Sequence, residues 1–152
     1  MEDIQPGTKS LTSRAAFDDY IAGFNSDDYS RYCAYYSKDI VMDLKSLEDK
    51  TLSGYLNWIK PLHASVSEEL RPKKVAIDVD KKYVAVDVDV QFLGRDGFKT
   101  ENFAGKWGHV YPGAGPLVHM SIWYHLDPEG HIYRLESTQS YVLEWAQPPQ
   151  GN

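Results

Sequence analysis

The chain has a single cysteine among its 152 residues, so it cannot form an internal disulfide. Such sparse cysteine use reads as intracellular and cytoplasmic. Long apolar runs are missing as well: the opening MEDIQPGTKS contains none, so neither a signal peptide nor a membrane anchor is expected there. Basic residues are the minority charge. With 16 Lys and Arg against 22 Asp and Glu, the formal net charge is -6. A nucleic-acid partner is not expected, because phosphate binding needs clustered cations. The lysines that do cluster, Lys73-Lys74 and Lys81-Lys82, flank alternating segments and read as edge or turn charges. The chain has no internal repeat and no metal-type Cys/His spacing. His109, His119, His125 and His131 make no helical His-x-x-x-His pair, so no metal is expected. Gly113-Ala114-Gly115 precedes a strand and fits no dinucleotide pattern, so no phosphate loop is expected there.

What the sequence does have is enough apolar surface for one well-filled domain, at 42% hydrophobic and 13% aromatic residues. Residues 1–12 and 146–152, marked by Pro6-Gly7 and by Gln147-Pro148-Pro149, read as flexible ends around a domain of residues 13–145. Thr12 or Ser13 can cap a first helix whose apolar face is Phe17, Tyr20, Ile21 and Phe24. Asn25-Ser26-Asp27-Asp28 breaks it. Tyr29, Tyr32, Cys33 and Tyr36 then repeat the spacing as a short second helix. Ile40-Val41-Met42 reads as a brief strand. A third helix begins near Thr51 and carries Leu52, Tyr55, Leu56, Ile59, His63 and Val66 on one face, with a kink or restart expected at Pro61.

After Pro72 the period becomes two. Val75, Ile77 and Val79, then Val84, Val86, Val88, Val90 and Phe92, alternate with polar residues and predict a hairpin of half-buried strands within residues 73–93. Gly94 to Gly97 is a turn, and residues 98–116 read as part strand, part long loop. Leu117 to Leu126 and His131 to about Tyr141 are further strands, joined by Asp127-Pro128-Glu129-Gly130, a type I turn by composition. Helices first and a meander last give an α+β domain.

That order resembles the NTF2-like superfamily, and within it the SnoaL-like cyclases, ketosteroid isomerases and scytalone dehydratases. FDDYIAGFNSDDYSRYCAYYSKDIVMDL (17–44) and WYHLDPEGHIYRL (123–135) carry the resemblance, which spans roughly residues 13–141. It implies a cone in which three N-terminal helices close over a curved, mostly antiparallel sheet. The pocket would be lined by Val84, Val86, Val88, Val90, Phe92, Met120, Ile122, Tyr124, Leu126, Tyr133, Leu135, Ser137 and Gln139. Tyr20 falls where ketosteroid isomerases place an oxyanion-donating tyrosine, and Tyr36 at another pocket tyrosine. The two carboxylate positions of those isomerases are held here by Leu44 and Ile122, so steroid-type chemistry through them is not expected.

Within that frame His63 is the foremost candidate. It lies on the inner stripe of the third helix, and an imidazole titrates near pH 6.5, which suits acid-base work. Tyr20, Tyr36 and Tyr124 can donate hydrogen bonds to a carbonyl or enolate oxygen, with Tyr55 beside them. Each can equally be a core filler. Asp43 can act as a base only if it faces inward, and alternation with Ile40 and Met42 points it outward. Phe103, Trp107 and His109 share a parity and can form a lid. His119, Trp123 and His125 face outward, where a second subunit is expected to cover them. The resemblance then implies a cofactor-independent cyclase, isomerase or dehydratase of natural-product metabolism. Its substrate would be a polyketide-like or polycyclic compound, held in an apolar pocket and turned over by Tyr/His acid-base catalysis or by preorganisation. The alternative is a non-catalytic binding or dimerisation module.

Overall fold

A computed structural model of the chain describes residues 3–96 and 110–147, with the side chain of Gln139 left undescribed. Helix α1 (Arg14–Asn25) begins where the Ser13 hydroxyl accepts the Ala16 N–H at 3.1 Å, one of the donors a helix start leaves over. Its apolar stripe, Phe17, Tyr20, Ile21 and Phe24, is buried. Asp28 caps the short α2 (Tyr29–Tyr32), which tightens into a 3-10 turn, Cys33–Tyr35. Strand β1 (Tyr36–Asp43) therefore starts earlier than its apolar core of Ile40 to Met42 indicates.

Thr51 caps α3 (Leu52–Ser65) through the Gly54 N–H. The helix continues through Pro61, where a kink or restart was expected, and no restart occurs. Pro61 is exposed, so its ring meets solvent and costs the helix one backbone bond. Val66, expected on the helical stripe, instead ends α3 and opens β2 (Val66–Asp78). The first hairpin strand thus begins well before residue 73. Pro72 sits within it at a register shift, which the sheet tolerates because β2 is an edge strand.

Strands β3 (Tyr83–Gly94), β4 (Leu117–Leu126) and β5 (Ile132–Glu144) complete a sheet of order β1-β5-β4-β3-β2. All neighbours are antiparallel except β1 and β5. In the β4–β5 turn the Gly130 N–H returns to the Asp127 carbonyl at 2.9 Å, and Gly130 takes a φ of +85° that glycine adopts without strain. Val84, Val86, Val88, Val90 and Phe92 are buried on one face, opposite Tyr124, Ile122, Met120 and Val118 of β4. The helices cover this concave face.

The segment before α1, expected to be a loose end, is pinned. Leu11 is fully buried and its N–H donates to the Gly130 carbonyl at 2.9 Å. Residues 148–152 of the expected flexible tail (146–152) and residues 98–109 of the expected strand and loop (98–116) lie outside the described residues.

Candidate active site inside the cone

Seven aromatic side chains from α1, α2, the 3-10 turn, β1, α3 and β4 meet under the helices. Tyr20 is the hub: its ring lies 5.4–5.9 Å from those of Tyr124, Tyr32, Tyr35 and Tyr36, edge to face in each case. Phe24 packs on Tyr32 and Tyr55 on Tyr36. Edge-to-face pairs of this kind add roughly 0.5–1.5 kcal/mol each beyond area burial. The hydroxyls find one another, Tyr20 with Tyr36 at 2.7 Å and Tyr32 with Tyr55 at 3.0 Å. Burial pushes the phenols of Tyr20, Tyr32, Tyr36, Tyr55 and Tyr124 well up from their ordinary value. They are held as neutral donors.

His63 projects from the last turn of α3 into the edge of this cluster, 3% exposed. An imidazole buried there without partners would cost about 1–3 kcal/mol, and it has partners on both nitrogens. Nδ1 lies 2.9 Å from the Tyr29 hydroxyl and 3.2 Å from an Asp27 carboxylate oxygen. Nε2 lies 3.0 Å from Glu68 Oε2. The ring stacks on Tyr29 and meets Phe24 edge on. Arg95, just past β3, locks the arrangement: its Nε donates to the His63 carbonyl at 2.7 Å and its guanidinium reaches Asp27 at 2.6 Å. Asp27 pays for this position with a left-handed φ of +55°, uncommon for a residue with a side chain.

Glu68 is the residue the sequence did not single out. It pairs with Phe92 across the β2–β3 ladder, so it shares the concave face with Phe92. Its charge reaches the Tyr55 and Tyr124 hydroxyls, adding to the burial that already raises both phenols. The available signal was a break: Val66 and Leu70 are buried at alternate positions, and a carboxylate between them on the same face violates the pattern, as functional positions do.

The other sequence-derived candidates divide clearly. Tyr20, Tyr36, Tyr55 and Tyr124 lie inside the cone, as do Val88, Ile122 and Leu135. Ser137 joins them through its hydroxyl, 3.7 Å from the Met120 sulfur. Met120, Ile122 and Leu135 each keep 7% exposure, whereas Val84, Val88 and Val90 keep 0–1%. Tyr133 does not line the pocket. A register irregularity between His125 and Leu126 leaves Tyr133 unpaired in the ladder, and it turns outward, 46% exposed, against His125. Asp43 faces out too, bonded to Arg134 at 2.7 Å with Lys50 nearby, and is removed as a base. Phe103, Trp107 and His109 lie outside the described residues, as does the side chain of Gln139.

On the outer face His119 is clamped between Asp87 and Asp89 at 2.8 and 2.7 Å. The Asp89 hydrogen bond, more than Asp87, raises its pKa against the opposing effect of burial. His125 bonds Glu136 at 2.7 Å. One His/carboxylate cluster of metal-binding proximity occurs among the described residues, Asp127, Glu129 and His131 in the β4–β5 turn. There the Asp127 carboxylate accepts the Glu129 and His131 N–H groups, an ordinary turn role. Among the described residues no helix is long and apolar enough to cross a membrane.

No protein-family model matches the chain, and no curated protein is similar to it. Solved structures are. A "putative polyketide cyclase" of Pseudomonas putida superposes with a TM-score of 0.66 at 16% identity, covering 86% of this chain and 92% of that one. AclR, a "putative hydroxylase" of Streptomyces galilaeus, gives 0.61 at 15% identity, covering 85% and 86%. An NTF2-like protein of unknown function from Cytophaga hutchinsonii gives 0.55 at 16% identity, covering 89% and 92%. At such identities the likeness shows the fold, which is NTF2-like.

Proposed function

We propose that this chain, an NTF2-like cone, is a cofactor-independent isomerase, cyclase or dehydratase acting on a flat, carbonyl-bearing polycyclic compound of polyketide type. The observation that carries the reading is His63: an imidazole almost wholly buried, with a carboxylate near each nitrogen, beside a cluster of phenols. That set offers what enolisation needs. A carboxylate–imidazole pair takes a proton from carbon, and neutral tyrosine hydroxyls donate to the oxygen on which charge develops. The apolar floor of Val88, Ile122 and Leu135 suits a polycyclic skeleton. The polyketide class rests on the names carried by neighbours such as the Pseudomonas putida protein. The proposal includes self-association through the outer sheet face.

Deuterium exchange at the acidic methylene of 2-tetralone, a small flat ketone, tests the chemistry without knowledge of the natural substrate. His63→Ala is expected to slow protein-catalysed exchange by about 10² or more, while His119→Ala and His125→Ala leave it within about twofold. Exchange by the folded wild type no faster than in buffer would remove acid-base catalysis; equal rates in all three variants, each folded, would remove His63 from it. One observation favours a second reading, a non-catalytic binding or dimerisation module. The Tyr20–Tyr36 and Tyr32–Tyr55 hydroxyl pairs satisfy each other within the core, as in a filled cone. Folded wild-type protein that neither binds nor exchanges the ketone would support it.

A further inference from the structure

We infer that Glu68, rather than His63, is the group that takes the proton from the substrate, and that His63 is its positioning residue, set by Asp27, Tyr29 and Arg95. The inference deepens the acid-base reading and rests on it. Both ring nitrogens of His63 are engaged, Nδ1 by Tyr29 and Asp27 and Nε2 by Glu68. An imidazole so held has no nitrogen to offer a substrate. Glu68 has one: Oε2 meets His63, and Oε1 has no hydrogen bond among the described residues. Its β2 position aims the carboxylate at the concave face beside Phe92, and its charge is felt at Tyr55 and Tyr124.

Energetics favour a working role over a structural one. Withdrawing most of a carboxylate and an imidazole from water together carries a desolvation cost, and an apolar pair of similar volume is often as stable or more so. Here the chain adds a second carboxylate, an arginine latch and a left-handed aspartate to hold one ring. The step balances simply. The C–H bond next to the substrate carbonyl breaks and its proton goes to Glu68 Oε1. The electron pair enters an enolate whose oxygen accepts a hydrogen bond from a phenol. The protonated Glu68 then returns the proton to another carbon, or to a departing hydroxyl as water.

The test is exchange of the acidic methylene of 2-tetralone in deuterium oxide, read beside binding of 2-naphthol, a stable enol. Glu68→Gln is expected to lose about 10² or more of the wild-type exchange rate while still binding 2-naphthol, because the phenols that meet the enol oxygen are untouched. The amide of His63→Gln can still donate to Glu68, so it should retain more of the exchange rate than His63→Leu; a merely structural role would not produce that ordering. Exchange surviving in Glu68→Gln but lost in His63→Leu overturns the inference and leaves acid-base catalysis standing. No exchange by the folded wild type overturns the acid-base reading and the inference together.

Discussion

At the scale of single residues the charged groups show their roles through their partners. Asp19 on α1 accepts from the Tyr35 hydroxyl at 2.7 Å, the Arg31 guanidinium at 2.8 Å and Lys9 at 3.3 Å. These bonds, Tyr35 foremost, hold its carboxyl at about 2, below the ordinary 3.8, against the opposing effect of burial. A depressed carboxylate stabilises the fold fully above the unfolded value and loses that contribution as pH falls through the folded one. Asp19→Asn should therefore cost about 1–2 kcal/mol at pH 7, after allowance for solvent screening. The gap should close between about pH 4 and pH 2. Urea melts of both proteins across that range measure it, and a gap independent of pH would contradict the assignment. His63 was legible in the sequence because helical periodicity alone placed it inward. Glu68 was not, because its position inside depends on a strand that the local pattern disguises.

That disguise belongs to the scale of elements. The apolar stripe of α3 continues to Val66 on paper, and Pro72 resembles a natural strand start. In the fold the helix stops at Ser65 and an edge strand starts at once. The valine alternation of β3 and the Asp127 to Gly130 turn read correctly because their periods and turn chemistry are purely local. The β1–β5 parallel pairing and the outward turn of Tyr133 depend on partners distant in sequence. Gly54 shows the same tension between local and tertiary demands. Helix propensity alone would make Gly54→Ala stabilising by up to about 1 kcal/mol. Yet an added Cβ at Gly54 would sit inside contact distance of the Asp49 carbonyl oxygen, and the Asp49 carboxylate is committed to Thr51. We expect a net loss of about 1–3 kcal/mol, visible as a lowered melting temperature. A raised one would mean that the loop before α3 yields freely.

For the whole molecule the sheet has two faces, and the proposal gives each a use. The concave face holds the tyrosines, His63 and Glu68. The outer face carries Trp123, packed between Tyr83 and His125 at 5.3 and 6.5 Å, with Val41, Tyr133 and Tyr141 each at least 40% exposed. Such a surface fits a second copy of the chain. Light scattering should give twice the 17.3 kDa chain mass, and Trp123→Glu should halve it; a particle of 17.3 kDa at high concentration would contradict the dimer. The chemistry inside the cone is tested most directly by one number, the rate at which wild-type protein in deuterium oxide exchanges the acidic methylene of 2-tetralone. The expected result is exchange at least about 10² faster than in buffer, saturating with ketone and lost in Glu68→Gln; exchange no faster than buffer, from a folded protein, would contradict it.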